Sequence, residues 1–125
     1  MKDNLHIGVV NFVTAWGDKE ANLKSIEAYC EEAGAKGVEL LVFPETALTG
    51  YLNEADQENR AEKMHAKLAE TIPGPSTEKI AEYAKKYNMY IVVGMAEKDP
   101  DDASKIYNSA AIIYPDGKMD SYRKI

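Results

Sequence analysis

A few side chains in this 125-residue sequence stand where they could do chemistry. Glu45 directly follows the apolar run Leu41-Val42-Phe43 and Pro44, and precedes Thr46-Ala47-Leu48-Thr49-Gly50-Tyr51. A carboxylate at the end of a buried strand is partly desolvated, which is expected to raise its pKa and suit it to accept protons near neutral pH. The same position also suits a glutamate that merely caps a loop. Lys124, after Tyr122 and Arg123, is the second candidate. An ammonium beside a carboxylate keeps both charged and can polarise a substrate carbonyl; otherwise it is an edge-strand lysine that discourages aggregation. Cys30 raises the question of a nucleophile, but it falls in an apolar stripe with Ile26, Tyr29 and Ala33, where a small buried hydrophobe is expected. His6 and His65 have no partner at metal-ligand spacing. Asp99, Asp101 and Asp102 lack the glycine and glutamate offsets of a calcium loop. No glycine-rich phosphate-binding pattern occurs.

The elements that must hold these residues can be read from periodicity. Leu5 to Phe12 is a nearly continuous apolar run, predicting a strand covered on both faces. Asp18 is a plausible N-cap for a helix over 19–34, closed by Gly34 and Gly37. Val38 to Phe43 predicts a second buried strand, and 47–52 a loop broken by Gly50. Residues 55–70 are charged, with Ala61, Met64, His65 and Leu68 on one face, as in a surface helix. Pro73-Gly74-Pro75 breaks it, and Ser76 is expected to cap a further helix with the stripe Ile80, Tyr83, Ala84 and Tyr87. Met89 to Ala96 and Tyr107 to Tyr114 predict strands separated by a polar loop at 99–104. Pro115-Asp116-Gly117-Lys118 is a hairpin turn into a last strand over 119–125. The order β-α-β-α-α-β-β-β predicts an α/β layered fold with part of its sheet parallel.

Composition narrows the partners. The chain carries 15 Lys and Arg against 21 Asp and Glu, a formal net charge of -6, which argues against nucleic acid or an anionic membrane surface. The hydrophobic fraction of 45% and charged fraction of 29% read as a soluble globular domain. No apolar run approaches the ~20 residues of a bilayer span, and no secretory signal is visible. One cysteine excludes an internal disulfide and fits a reducing cytoplasm.

Taken together, these stretches resemble a known family. Val42-Phe43-Pro44-Glu45 followed by Leu48-Thr49-Gly50-Tyr51 looks like the first catalytic motif of the nitrilase superfamily, the carbon–nitrogen hydrolases. Ile7–Phe12 resembles its opening strand and Gly34–Leu40 its helix-to-strand passage. Tyr90–Glu97 resembles its central strand, and Tyr107-Asn108-Ser109-Ala110 with Pro115-Asp116-Gly117 its hairpin. Tyr122-Arg123-Lys124-Ile125 resembles its lysine motif. The ordered set covers the whole chain.

The resemblance implies an αββα sandwich, of which residues 1–125 would be the N-terminal half, a partial domain ending in a β-hairpin. It implies a Glu-Lys-Cys triad acting on a small amide, carbamoyl or nitrile compound, with Glu45 as general base and Lys124 as electrostatic stabiliser. Tyr51 and the loop 46–56 would line one wall of the substrate pocket, and a small polar amide is the expected substrate. No metal or organic cofactor is implied. Homo-oligomers are common in the family, and self-association is expected. The family's cysteine lies a few tens of residues beyond the lysine, so Cys30 cannot replace it, and a second glutamate used by some amidases also lies further on. Glu97 is expected to be structural. The chain alone is therefore expected to be inactive, with one sheet face bare or covered by another chain. Two other readings remain: a non-catalytic α/β module associating through that face, and a nucleotide-binding domain, against which the missing glycine-rich loop counts.

Overall fold

A computed structural model describes residues 4–50 and 58–124. The element order is β1 (Ile7–Val9), α1 (Lys19–Ala35), β2 (Leu40–Val42), α2 (Glu58–Leu68), α3 (Pro75–Tyr87), β3 (Tyr90–Lys98), β4 (Ile106–Ile113) and β5 (Met119–Arg123). The strands form one sheet in the order β1-β2-β3-β4-β5. The first three run parallel, with Ile7 opposite Leu40 and Leu40 opposite Tyr90. β3, β4 and β5 are antiparallel, with Gly94 opposite Ala110 and Ala110 opposite Tyr122. The expected mixture of parallel crossovers and a terminal hairpin is what forms.

Local chemistry sets the helix ends. Asp18 caps α1 through its Oδ1, which accepts the Ala21 N–H at 3.0 Å. At the other end Lys36 N–H reaches the Ala33 and Glu32 carbonyls, and Gly37 turns the chain away at φ +74. The expected Ser76 cap is corrected. Gly74 is the N-cap of α3 and Pro75 its first residue. The Ser76 N–H and hydroxyl instead donate to the buried carboxylate of Glu70, at 2.7 and 2.5 Å. Residues 55–57 of the expected second helix lie outside the described residues.

Alternation divides the sheet into two unlike faces. One carries Leu41, Ile91, Val93, Met95, Ala111 and Ile113, all buried against Ile26, Cys30, Ile80 and Ala84 of α1 and α3. The other carries Ile7 and Val9, which are 55% and 77% exposed, with Tyr90 and Tyr122. The expectation that Leu5–Phe12 is covered on both faces is therefore corrected. Pairing of β1 is limited to three residues, and the helices lie over only the opposite face. Among the described residues this face is open at Ile7, Val9, Tyr90 and Tyr122, while Ala96 on it is buried. Among the described residues no helix is long and apolar enough to cross a membrane.

Candidate active site

Glu45 is delivered by a tight turn rather than by the strand itself. Phe43 N–H still bonds to the Val92 carbonyl at 2.8 Å, holding the chain extended beside β3. Thr46 then takes a left-handed φ of 47, uncommon for a β-branched residue, and the Ala47 N–H turns back to the Gly94 carbonyl at 2.8 Å. A Cβ on Gly94 would sit 2.5 Å from the Pro44 carbonyl oxygen and 2.7 Å from Glu45 Cα, so this turn rests on the bare backbone of β3.

Behind the turn, buried Asn22 of α1 binds two loops. Its Nδ2 donates to the Ala15 and Leu48 carbonyls at 2.8 and 2.9 Å, and its Oδ1 accepts the Ala15 N–H. His65 Nδ1 lies 3.0 Å from the buried Thr49 hydroxyl. Burial lowers the His65 pKa, which favours the neutral ring.

The two candidates, 79 residues apart in sequence, meet. Lys124 Nζ lies 3.1 Å from Glu45 Oε1. Asn108 Nδ2 donates to the same oxygen at 2.5 Å. Among the described residues no group bonds Glu45 Oε2. These three side chains stand on the open sheet face. They border a recess of about 240 Å³ that Val92, Gly94, Ala110 and Tyr122 also line.

The electrostatic expectation for Glu45 is overturned. Its pKa is lowered, chiefly by the Asn108 hydrogen bond. Burial acts in the opposite direction, and the Lys124 hydrogen bond and charge lower it further. The carboxylate is only half-buried, so desolvation is outweighed by donors to its charged form.

Cys30 is wholly buried on the helix-covered face, and burial, with the nearby Glu27 charge, pushes its pKa up to about 12. It is a core thiol, as its helical spacing predicted. Tyr51 lies outside the described residues. No group of three or more potential metal-ligating side chains occurs among the described residues. Asn108 and Asn22 were missed as site residues in the sequence. The only signal for Asn108 is its place in the Tyr107–Ala110 stretch, which predicts a hairpin and no site residue.

Known proteins share this arrangement of elements. The chain is 36% identical to Nitrilase 2 of Arabidopsis thaliana over 129 aligned positions, covering 94% of this chain and 37% of that protein. It is 32% identical to human Omega-amidase NIT2 over 108 positions, covering 86% of this chain and 35% of that one. It superposes on the crystal structure of Saccharomyces cerevisiae Nit3, a member of branch 10 of the nitrilase superfamily, with a TM-score of 0.77 and 27% identity. That match covers 97% of this chain and 44% of Nit3. The chain thus spans little more than a third of the length of the curated relatives it matches. The profile of the family described as carbon-nitrogen hydrolase matches residues 6–125, nearly the whole chain and both motifs that meet at the recess, so this chain belongs to the carbon–nitrogen hydrolases.

Proposed function

We propose that residues 1–125 form the N-terminal part of a hydrolase domain that cleaves a small amide, carbamoyl or nitrile compound through a Glu-Lys-Cys triad. Glu45 is the general base, Lys124 is the stabilising cation, and the cysteine belongs to a segment beyond residue 125. The observation that carries this reading is the Lys124–Glu45 contact of 3.1 Å on the rim of a recess. Tyr51, next after the Gly50 turn, is proposed as a wall of the substrate site.

The chemistry follows from the positions. Glu45, ionised at neutral pH, takes the thiol proton on the oxygen that Asn108 and Lys124 leave unoccupied. The thiolate forms a bond to the amide carbon, and the carbonyl electron pair moves to oxygen beside Lys124. Collapse breaks the carbon–nitrogen bond, and ammonia leaves with the proton returned by Glu45. A water then gives its proton to Glu45 and attacks the thioester, and the carbon–sulfur bond breaks. The released thiolate recovers a proton from Glu45. Covering the open face would remove water from Glu45 and oppose its lowered pKa, making it a stronger base than in this half alone.

The test is ammonia release by the complete protein from propionamide, N-carbamoyl-β-alanine and propionitrile. Glu45→Gln should lower turnover on the order of a thousandfold with the fold intact by circular dichroism. Retained activity would remove Glu45 from the triad, and turnover of the nitrile alone would overturn the amide preference. The exposed Ile7, Val9 and Tyr122 support a second reading, a non-catalytic module that associates through this face. A complete protein that assembles but releases ammonia from none of the three compounds would favour it.

A further inference from the structure

Lys124 presents a mechanical problem. It directly follows β5, which is the edge strand among the described residues, and its side chain is 68% exposed. An edge strand held on one side frays readily, yet a base–cation contact needs sub-ångström placement. Backbone pairing contributes one anchor, the Lys124 N–H to the Asn108 carbonyl at 2.8 Å. A second lies on the opposite face of the sheet. Arg123 Nε and Nη2 fork onto the two oxygens of Glu97 at 3.1 and 3.2 Å. Glu97 is only 3% exposed, and its Oε1 also accepts the Ser109 hydroxyl at 2.7 Å. The Arg123 guanidinium stacks 3.9 Å over the Tyr107 ring and lies 3.8 Å from Asp99 Oδ2. Pairing explains the geometry. Glu97 opposes Tyr107, and Ser109 opposes Arg123, so all four project to one side while Lys124 projects to the other.

We propose that Glu97 is a positioning residue that acts through Arg123: by clamping Arg123 beneath the sheet, it fixes the end of β5 and holds the Lys124 ammonium against Glu45 above it. The sequence alone predicts a structural role for Glu97. A bidentate fork restrains direction as well as distance, which a lysine at 123 could not do. The inference rests on the proposed roles of Glu45 and Lys124, but its test does not require catalysis.

The test follows the Glu45 carboxyl carbon by NMR across a pH titration of the protein, comparing the native sequence with Glu97→Gln. Through space, removing the Glu97 charge and leaving Arg123 unpaired would both favour ionised Glu45 and lower its midpoint. Release of Lys124 acts the other way. The expected result is a rise of about half a pH unit, the effect of one lost cation discounted for exposure. A midpoint that stays or falls overturns the proposal. If Glu97→Gln does not fold, Arg123→Lys keeps the charge and removes the fork, and the same rise is expected. In a Lys124→Met background Glu97→Gln should give no rise; a rise there also overturns the proposal. In the complete protein, Glu97→Gln should lower kcat on propionamide about tenfold. If the native complete protein hydrolyses no probe, the hydrolase reading fails while the titration still decides this one.

Discussion

Gly94→Ala tests the seating of the Glu45 turn. The added methyl would meet the Pro44 carbonyl oxygen at 2.5 Å, Glu45 Cα at 2.7 Å and Thr46 N at 2.8 Å. All three are backbone atoms, so no rotamer change relieves them. Ordinary contact begins near 3.4 Å, so the turn must lift by roughly 0.9 Å. Lifting it also stretches the Ala47 N–H bond to the Gly94 carbonyl. Overpacking of this kind costs about 1–3 kcal/mol, or roughly 4 °C of melting temperature per kcal/mol for a domain of this size. The functional effect should be larger, because Glu45 rides on the displaced segment and a shift of about 1 Å costs on the order of a hundredfold in turnover. Thermal unfolding and carboxyl NMR of Glu45 read the two effects separately. Gly34→Ala is the control: its methyl would meet the Tyr87 ring at 2.6 Å, away from the turn. It should lower the melting temperature and leave the Glu45 titration in place. An unchanged melting temperature and titration in Gly94→Ala would refute the argument that the turn is seated on this glycine.

Three further outcomes are expected. Asn108→Ala should raise the Glu45 titration midpoint, because its hydrogen bond is the largest contribution to the ionised form, and Asn108→Asp should raise it further by like-charge repulsion; a midpoint unmoved in both would show that Asn108 does not set it. Glu70 is pushed up by burial, but its bonds from Lys19 and Ser76 and the Lys19 charge together bring it below its ordinary 4.5. Its contribution to stability is therefore complete above pH 4.5 and lost as pH falls through the folded value. Lys19→Met should raise that folded value, move the acid loss to higher pH and cost on the order of 2 kcal/mol near neutrality, between the exposed and buried limits; melting curves from neutral to acid pH check both. Cys30, with its thiol near 12, should resist alkylation at neutral pH until the protein unfolds. Cys30→Ala should cost about 1–2 kcal/mol and leave turnover per folded molecule unchanged, as measured by denaturation and ammonia release.

The elements that were legible are those whose signal is local. Asp18 fits its capping site because its side chain needs only the N–H three residues on, and the Pro115–Lys118 turn needs only itself. The Ser76 cap failed for the converse reason. Its partner is Glu70, whose carboxylate also binds Lys19 from another helix, and Pro75 had already supplied a helix start one residue earlier. The apolar run of the opening strand states what those residues could bury, without stating what lies against them. Ile7 and Val9 are apolar and exposed, so apolar content alone could not separate a covered face from an open one.

The site divides along the same line. The Glu45 and Lys124 positions could be read as strand ends, and the sheet brings them within 3.1 Å because β2, β3, β4 and β5 are successive neighbours. The sign of the Glu45 pKa shift could not, because it depends on a third strand. A carboxylate after a buried run is desolvated in any sequence, but whether desolvation wins depends on what donates to it. Here Asn108 arrives from 63 residues away, fixed by the pairing of Ala96 with Asn108. The same logic extends beneath the sheet, where Arg123 and Lys124 are adjacent in sequence and are held by opposite faces. A strand's alternation thus sends two neighbouring basic residues to different partners, Arg123 to Glu97 and Lys124 to Glu45, and only the identity of what lies on each face distinguishes them.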